Sequence, residues 1–411
     1  MSNWQIVKLG ELYSVHNGLS KGRQFFGTGY PFLTFSNVFN NWFLPNELDS
    51  LVQTTDKERE ACSIKYGDVF ITRTSETMNE LGMSSVALKD YPDATYNGFT
   101  KRLRPFTDKV LPNYIGYYLR SPKFRGKFMA FSSMTTRASL ANDNLLNMEI
   151  ELPPMDVQKK IATVLSRYDS LIDNYQKQIK LLEEAAQRLY KEWFVNLQFP
   201  GHENTKIVDG VPEGWEKNSI ADVTIKVTTG LNPRKNFVLG HGENYYVTIK
   251  NMGKNTFFLD EKCDKVDDEA IAKINKRSDL KKGDILFSGI GTIGRVALID
   301  IPTSNWNVSE SVFTLRANEN ISKEYLYLML LDSNMQNYCQ SHSHGAAQKG
   351  IRMADLKAFS FPLASKSIID LFTSKAEPLL NRVSKIRRQL RLLTESRDRL
   401  LPKLLSGEIE V

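Results

Sequence analysis

Apolar and polar positions run through the same order twice along this chain. Each pass opens with a tryptophan and a short β-like segment, WQIVKLGELYSVHNGLSKGRQF (Trp4 to Phe25) and WEKNSIADVTIKVTTGLNPRKNF (Trp215 to Phe237). Both segments carry a glycine followed by basic residues, Gly18 before Lys21 and Arg23, and Gly230 before Arg234 and Lys235. Each pass then reaches a Gly-Asp turn, whose backbone demands suit glycine. The turns launch apolar runs, Val69, Phe70 and Ile71 or Ile285, Leu286 and Phe287, which predict buried strands. Second strands follow after a polar loop, SSVALKD (Ser84 to Asp90) and GRVALID (Gly294 to Asp300). YNGFTKRLRP (Tyr96 to Pro105) and WNVSESVFTLRA (Trp306 to Ala317) form the next landmark. Short helical stretches and a loop come after, Ser132 to Leu146 or Ser341 to Leu356. A strand ending in proline closes each part, IELPP (Ile150 to Pro154) and FSFPL (Phe359 to Leu363). Corresponding landmarks lie roughly 207–216 residues apart, so a whole domain is duplicated rather than a short solenoid unit.

Beyond Pro154 the apolar period changes from two to seven. Leu165, Ile172, Ile179, Ala186 and Trp193 recur every seventh residue, with Tyr168, Tyr175, Leu182 and Leu189 at the second apolar position. The second pass repeats the pattern with Phe372, Leu379, Ile386, Leu393 and Leu400, accompanied by Ala376, Val383, Leu390 and Leu404. Arg397 is its single breach, and Pro378 predicts a start or kink of that helix. Such a seam predicts a coiled coil. Each helix could instead pack only on its own domain, but two narrow positions per heptad suit a helix partner better than a sheet. Antiparallel pairing within the molecule makes the halves two-fold related. The predicted fold is α+β: two similar globular α/β domains (1–153 and 215–363) joined by two long antiparallel helices (154–197 and 364–411). The Gly-, Pro- and polar-rich segment 198–214 is predicted to be an exposed linker.

Composition changes this picture little. The 411 residues are 41% hydrophobic and 25% charged, ordinary for a globular protein. No apolar run approaches the roughly 20 residues that span a bilayer, and MSNWQIVKLGELY has no signal-peptide core, so a cytoplasmic protein without a membrane partner is expected. Cys62, Cys263 and Cys339 have neither a zinc spacing nor a disulfide framework and are expected to be reduced thiols. The net charge of +7 suits a nucleic-acid partner, although many unrelated proteins share it.

Catalytic chemistry finds no support. Gly289-Ile290-Gly291-Thr292-Ile293-Gly294 matches GxGxxG, but strand-like RVALID follows where a nucleotide site needs a helix. A hairpin loop whose small residues allow close backbone approach is the better reading. There is no Walker A sequence. Pro153-Pro154 lacks the preceding Asp or Asn of an adenine methyltransferase, and His342 and His344 have no ligand at metal spacing. No metal or catalytic residue is assigned. What remains is basic and polar loop chemistry at equivalent places in both halves. In the first half these residues are Lys21, Arg23, Arg73, Thr74, Ser75, Arg102, Arg104, Thr136 and Arg137. In the second they are Arg234, Lys235, Ser288, Thr292, Arg295, Gln348, Lys349 and Arg352. Arginine pairs bidentately with guanine and glutamine with adenine, while Lys, Ser and Thr also serve phosphates. Any one of these residues could be plain solvated surface; their recurrence in both halves gives the group its weight. The last helix is lopsidedly basic, with Arg382, Lys385, Arg387, Arg388, Arg391, Arg397, Arg399 and Lys403. That face is either solvated or tracks phosphates or a partner.

The chain resembles the specificity subunit of Type I restriction–modification systems. The resemblance is carried by LPPMDVQKKIATVLSRYDSLID (Leu152 to Asp173) and RRQLRLLTESRDRLLPKLLSGEI (Arg387 to Ile409), with support from KKGDILFSGIGTIG (Lys281 to Gly294) and GAAQKGIRMADLKAFSFPL (Gly345 to Leu363). It implies a subunit with no active site, in which each domain reads one half of a split target on double-stranded DNA. It also implies two modification subunits that bring S-adenosylmethionine and adenine methylation, and restriction subunits that bring ATP, Mg and cleavage. This subunit would hold no cofactor. The first half departs from the pattern, with TRTSETMNELGM in place of GIGTIG and MTTRASLA in place of GAAQKGI. Four heptads of helix span about 42 Å, against about 34–36 Å for one duplex turn, so helices of this length can set the gap between two half-sites. A non-catalytic scaffold binding peptides through the same loops is the alternative, and a nucleotide enzyme built on the glycine loop is a third.

Overall fold

The computed structural model describes residues 4–75, 80–131, 138–139, 141–345 and 349–411. The Gly-Asp turns launch strands in both halves. Gly67 and Gly283 adopt φ of +84° and +97°, a left-handed conformation that a side chain would strain. In the first domain the four-stranded antiparallel sheet has the order Tyr13–Asn17, Thr100–Pro105, Val69–Thr72, Ser84–Val86. The second domain repeats that order with Thr224–Thr229, Val312–Ala317, Ile285–Ser288 and Val296–Leu298. Each domain adds a mixed three-stranded sheet, centred on Phe26–Leu33 or on Asn244–Val247. The closing strand returns to pair with the opening one: Gln5 lies opposite Leu152, and Glu216 opposite Leu363.

Two compact units divide the chain, residues 1–174 with 390–411 and residues 175–389. The division cuts each long helix, Met155–Tyr190 and Lys366–Ser406, near its middle. In the first unit, Ile161 and Leu165 from the first long helix share a core with Leu401, Leu404 and Leu405 from the end of the second, around Val69, Leu103 and Tyr114. In the second unit, Ile369, Phe372 and Ala376 from the start of the second helix pack with Ala186, Tyr190, Trp193 and Phe194 from the end of the first, around Phe287, Leu315 and Tyr325. Each helix therefore completes the core of the other half's domain.

Within each unit the two helices run antiparallel. Lys160 Nζ donates to the Val411 carbonyl at 3.0 Å, and Arg397 Nη1 to Asp169 at 2.8 Å, so partner numbers fall as residue numbers rise. In the second unit Arg387 pairs with Glu183, and the Phe194 ring lies 4.9 Å from that of Phe372. The heptad seam faces inward. Leu165 and Ile386 are buried, and Ile172, Ile179, Leu182, Leu189, Leu379, Leu390, Leu393 and Leu400 are half-buried. Off-register Leu171, Leu181 and Leu392 are 48%, 64% and 58% exposed. Two expectations need correction. The second helix does not start at Pro378; it begins at Lys366 and continues through that proline. The linker is not uniformly exposed, because Phe199 is buried against Trp215 with ring centroids 4.9 Å apart.

The three cysteines are free and buried. Burial raises the thiol pKa of each, and pushes that of Cys339 up to about 12. Thiolate is the reactive form, so iodoacetamide at pH 8 is expected to label none of them in the folded protein and all three in urea. Mass spectrometry of the intact chain reads the difference.

Candidate nucleic-acid interface

In each domain the ends of the four sheet strands bring distant loops to one rim. In the second domain Thr229 lies opposite Phe313, and Ser288 opposite Val312, so the Gly230 loop, the Ser309–Ser311 turn and the Gly289–Gly294 hairpin meet. Backbone bonds join them: the Gly230 amide donates to Ser309 at 3.2 Å and the Gly289 amide to Ser311 at 3.0 Å. A further loop joins the hairpin, with the Gly291 amide donating to Lys349 at 2.7 Å and the Ile351 amide to Gly289 at 2.8 Å. The GxGxxG run is thus a connection between two antiparallel strands, with no helix after it. Gly230 is needed for the approach, since a Cβ there would sit 1.5 Å from the Val308 carbonyl oxygen.

The first domain repeats the arrangement. The Arg73 amide donates to Phe99 at 2.9 Å and the Gly98 amide to Leu19 at 2.7 Å. A Cβ on Gly18 would lie 2.3 Å from the Asn97 carbonyl oxygen. The backbone of Thr74–Ser75 pairs with that of Ala138–Ser139, the counterpart of the bridge between Ile290 and Gly350. The side chains of Thr74 and Ser75, and the whole of Thr136, Arg137 and Gln348, lie outside the described residues.

Side-chain geometry sorts the remaining candidates. Arg23, Arg234, Lys235, Thr292, Lys349 and Arg352 are exposed, with no side-chain hydrogen bond or ion pair among the described residues. These are free to meet a phosphate or a base edge. Five candidates are already engaged inside the protein, which corrects the sequence reading. Arg102 is 3% exposed, donates to the Ser63 carbonyl at 2.6 Å and lies over the Tyr96 ring. Ser288 is buried, donating to the Thr292 carbonyl and accepting from the Arg295 amide. Arg295 itself donates to the carbonyls of Met252 and Ile249. Lys21 forms an ion pair with Glu58 at 2.7 Å, and that hydrogen bond pulls the Glu58 carboxyl down to about 2. Arg104 grips Asp68 through Nε at 2.8 Å and Nη2 at 2.6 Å. Arg73 is partly held as well, donating to Asn17 at 3.2 Å.

The Arg104 pair has a twin. Arg316 holds Asp284 through Nε at 2.6 Å and Nη2 at 2.8 Å. Both aspartates belong to the Gly-Asp turns, and their side chains are 0% and 1% exposed. Each also accepts the turn amide, from Lys65 or Lys281. Hydrogen bonding to these carboxylates raises the pKa of both guanidinium groups. The sequence reading missed Arg316. The signal was present in the matched Leu-Arg of Leu103-Arg104 and Leu315-Arg316. It also missed Phe99, a 59% exposed ring on the first rim.

Two copies of one α+β domain, each with a loop-built sheet rim and completed by the other half's helix, define a duplicated binding protein. The chain belongs to the family described as the Type I restriction modification DNA specificity domain, which matches residues 1–184 and 212–368. Over its whole length it is 26% identical to the Type I restriction enzyme MjaIX specificity subunit of Methanocaldococcus jannaschii, covering 94% of that protein. It is 22% identical to the Type I restriction enzyme HindI specificity subunit of Haemophilus influenzae, with both chains fully covered. The crystal structure of the S subunit of a Type-I restriction-modification system from M. genitalium matches its fold with a TM-score of 0.61 at 14% identity, covering 98% of this chain and 96% of that one. Among the described residues no helix is long and apolar enough to cross a membrane.

Proposed function

We propose that this chain is the DNA-recognition subunit of a Type I restriction–modification complex, and that each sheet rim reads one half of a bipartite, asymmetric target. The duplicated rim supports this reading most directly. The strands, Gly-Asp turns and Arg–Asp pairs are the same in both domains, while the loops they carry differ in sequence. A constant frame with different readers suits two different half-sites. Among the described candidates, Arg23 in the first domain and Arg234, Lys235, Lys349 and Arg352 in the second are exposed charges that can meet DNA. Family membership weighs against the peptide-binding alternative.

The chemistry then belongs to partner subunits. Two modification subunits would bring S-adenosylmethionine and methylate adenine; restriction subunits would bring ATP, Mg and cleavage. The long helices would set the spacer between half-sites and dock the modification subunits. The test maps methylated positions by single-molecule sequencing of DNA treated with the assembled methyltransferase. Because the helices pair in both units, one added heptad must be placed in each, at Ile179 and at Leu390. The matched insertion is expected to change the spacer and leave both half-site sequences alone. A change in the half-site sequences would refute the ruler.

A further inference from the structure

We propose that the two long helices carry a pairing code of charge and volume, by which the first half of this chain pairs with the second half and not with another copy of itself. The repeat gives a fixed correspondence. Gln5 lies opposite Leu152 as Glu216 lies opposite Leu363, and the long helices begin at Met155 and Lys366. At that same spacing Tyr117 corresponds to Leu328, Asp169 to Leu380, and Ala186 to Arg397. Burial agrees with the alignment: Tyr190, Trp193 and Phe194 correspond to Leu401, Leu404 and Leu405, and all six are buried.

The corresponding sites are chemically opposite. In the first unit, Tyr117 donates to Asp169 Oδ2 at 2.6 Å, and Arg397 donates to Asp169 Oδ1 at 2.8 Å. The Arg397 guanidinium also lies over the Trp42 ring, 5.7 Å from its centroid. In the second unit the same three places hold Leu328, Leu380 and Ala186, all within one apolar core. A second ion pair, Glu183 with Arg387, has as its first-unit counterparts the uncharged Gln176 and Thr394. The acids, Asp169 and Glu183, are both on the first helix; the arginines, Arg397 and Arg387, are both on the second.

Pairing like with like breaks this arrangement. Two first halves would set each Asp169 against the other copy's Ala186, with no cation. Two second halves would set each Arg397 against Leu380, where it loses Asp169 and keeps Asp398 of its own helix at 2.8 Å. The larger penalty falls on the first-half pair, because a partly buried carboxylate left without its cation is strongly unfavourable. The helix ends add a volume term. Tyr190, Trp193 and Phe194 fill a socket walled by Tyr325, Phe372 and Trp215. The corresponding wall of the first unit has Ile161 in place of Phe372 and receives three leucines. A second first half would drive three aromatic rings into that leucine-sized space, and overpacking is destabilising. Apolar residues could fill the Asp169 site at least as stably. Retaining charges there is the mark of specificity obtained by penalising the wrong partner.

The test uses the full chain with a protease site inserted between Asp209 and Gly210, in an exposed turn. Purified protein is cleaved, dissociated in urea, returned to buffer and weighed by native mass spectrometry. Complexes of one first half with one second half are expected, with like pairs under about a tenth of the total, a preference of roughly 1.4 kcal/mol. Random pairing would make about half of the complexes like pairs, and that result would overturn the proposal. A second protein, Tyr117→Leu/Asp169→Leu/Arg397→Ala, copies the apolar cluster of the second unit into the first. It is expected to fold and to raise the share of like pairs at least about threefold as the charge penalty is removed. An unchanged share would remove charge from the code.

Discussion

Replacing Arg316 with leucine is expected to destabilise the second domain by about 3–5 kcal/mol, the cost of leaving a buried carboxylate without its cation. Asp284 is 1% exposed and, among the described residues, would keep the Lys281 amide as its one remaining donor. Hydrogen exchange of Val312–Ala317 measures the effect where it arises, since that strand carries Arg316 and pairs with both neighbours of the sheet. Replacing Asp284 and Arg316 together with leucines is expected to recover more than half of the loss, because no charge is then buried alone. Arg104→Leu is expected to do the same to the first domain through Asp68. If either single change leaves exchange unaltered, the paired aspartates do not anchor the Gly-Asp turns.

Neutralising Arg234, Lys235, Lys349 and Arg352 together is expected to weaken DNA binding steeply and to flatten its salt dependence. Each phosphate contact contributes roughly 0.9 to the slope of log affinity against log salt, so up to four lost contacts lower it by about 3 to 4. Fluorescence anisotropy of the assembled complex on a target duplex, across a series of salt concentrations, measures that slope. Arg102, Arg104 and Arg295 make the contrast. Their guanidinium groups are spent on carbonyls or Asp68, so changing them is expected to lower stability and leave the salt slope alone. An unchanged slope in the fourfold variant would remove this rim from the interface.

These contrasts show what kind of information the sequence carries. Val69, Phe70 and Ile71 read as a buried strand because their apolar run is continuous, and all three are 0% exposed. The seam of Leu165 and Ile386 was legible for the same reason: seven-residue spacing is a property of neighbours along the chain. Arg104 and Arg234 were not distinguishable in this way. Both follow β-like segments among polar residues, yet one is locked to Asp68 and the other is exposed. That difference depends on strand pairing between residues far apart in sequence.

Helix exchange was invisible for a related reason. Heptads report that a helix has a partner, but not which domain its last turns complete. Trp193 and Phe194 follow the first domain in the chain and lie in the core of the second, while Leu401 and Leu404 do the reverse.

By itself, the sequence determined the duplication, the strand and helix types, the heptad seam and the family, because all of these rest on local periodicity and on motifs contiguous in the chain. Only the tertiary structure decided which cations remain free at the rims, that the Gly-Asp aspartates are buried counter-ions, and that each helix ends in the other half's core. Burial and charge pairing depend on which distant segments meet, and that is fixed when the sheet closes and the two helices pack.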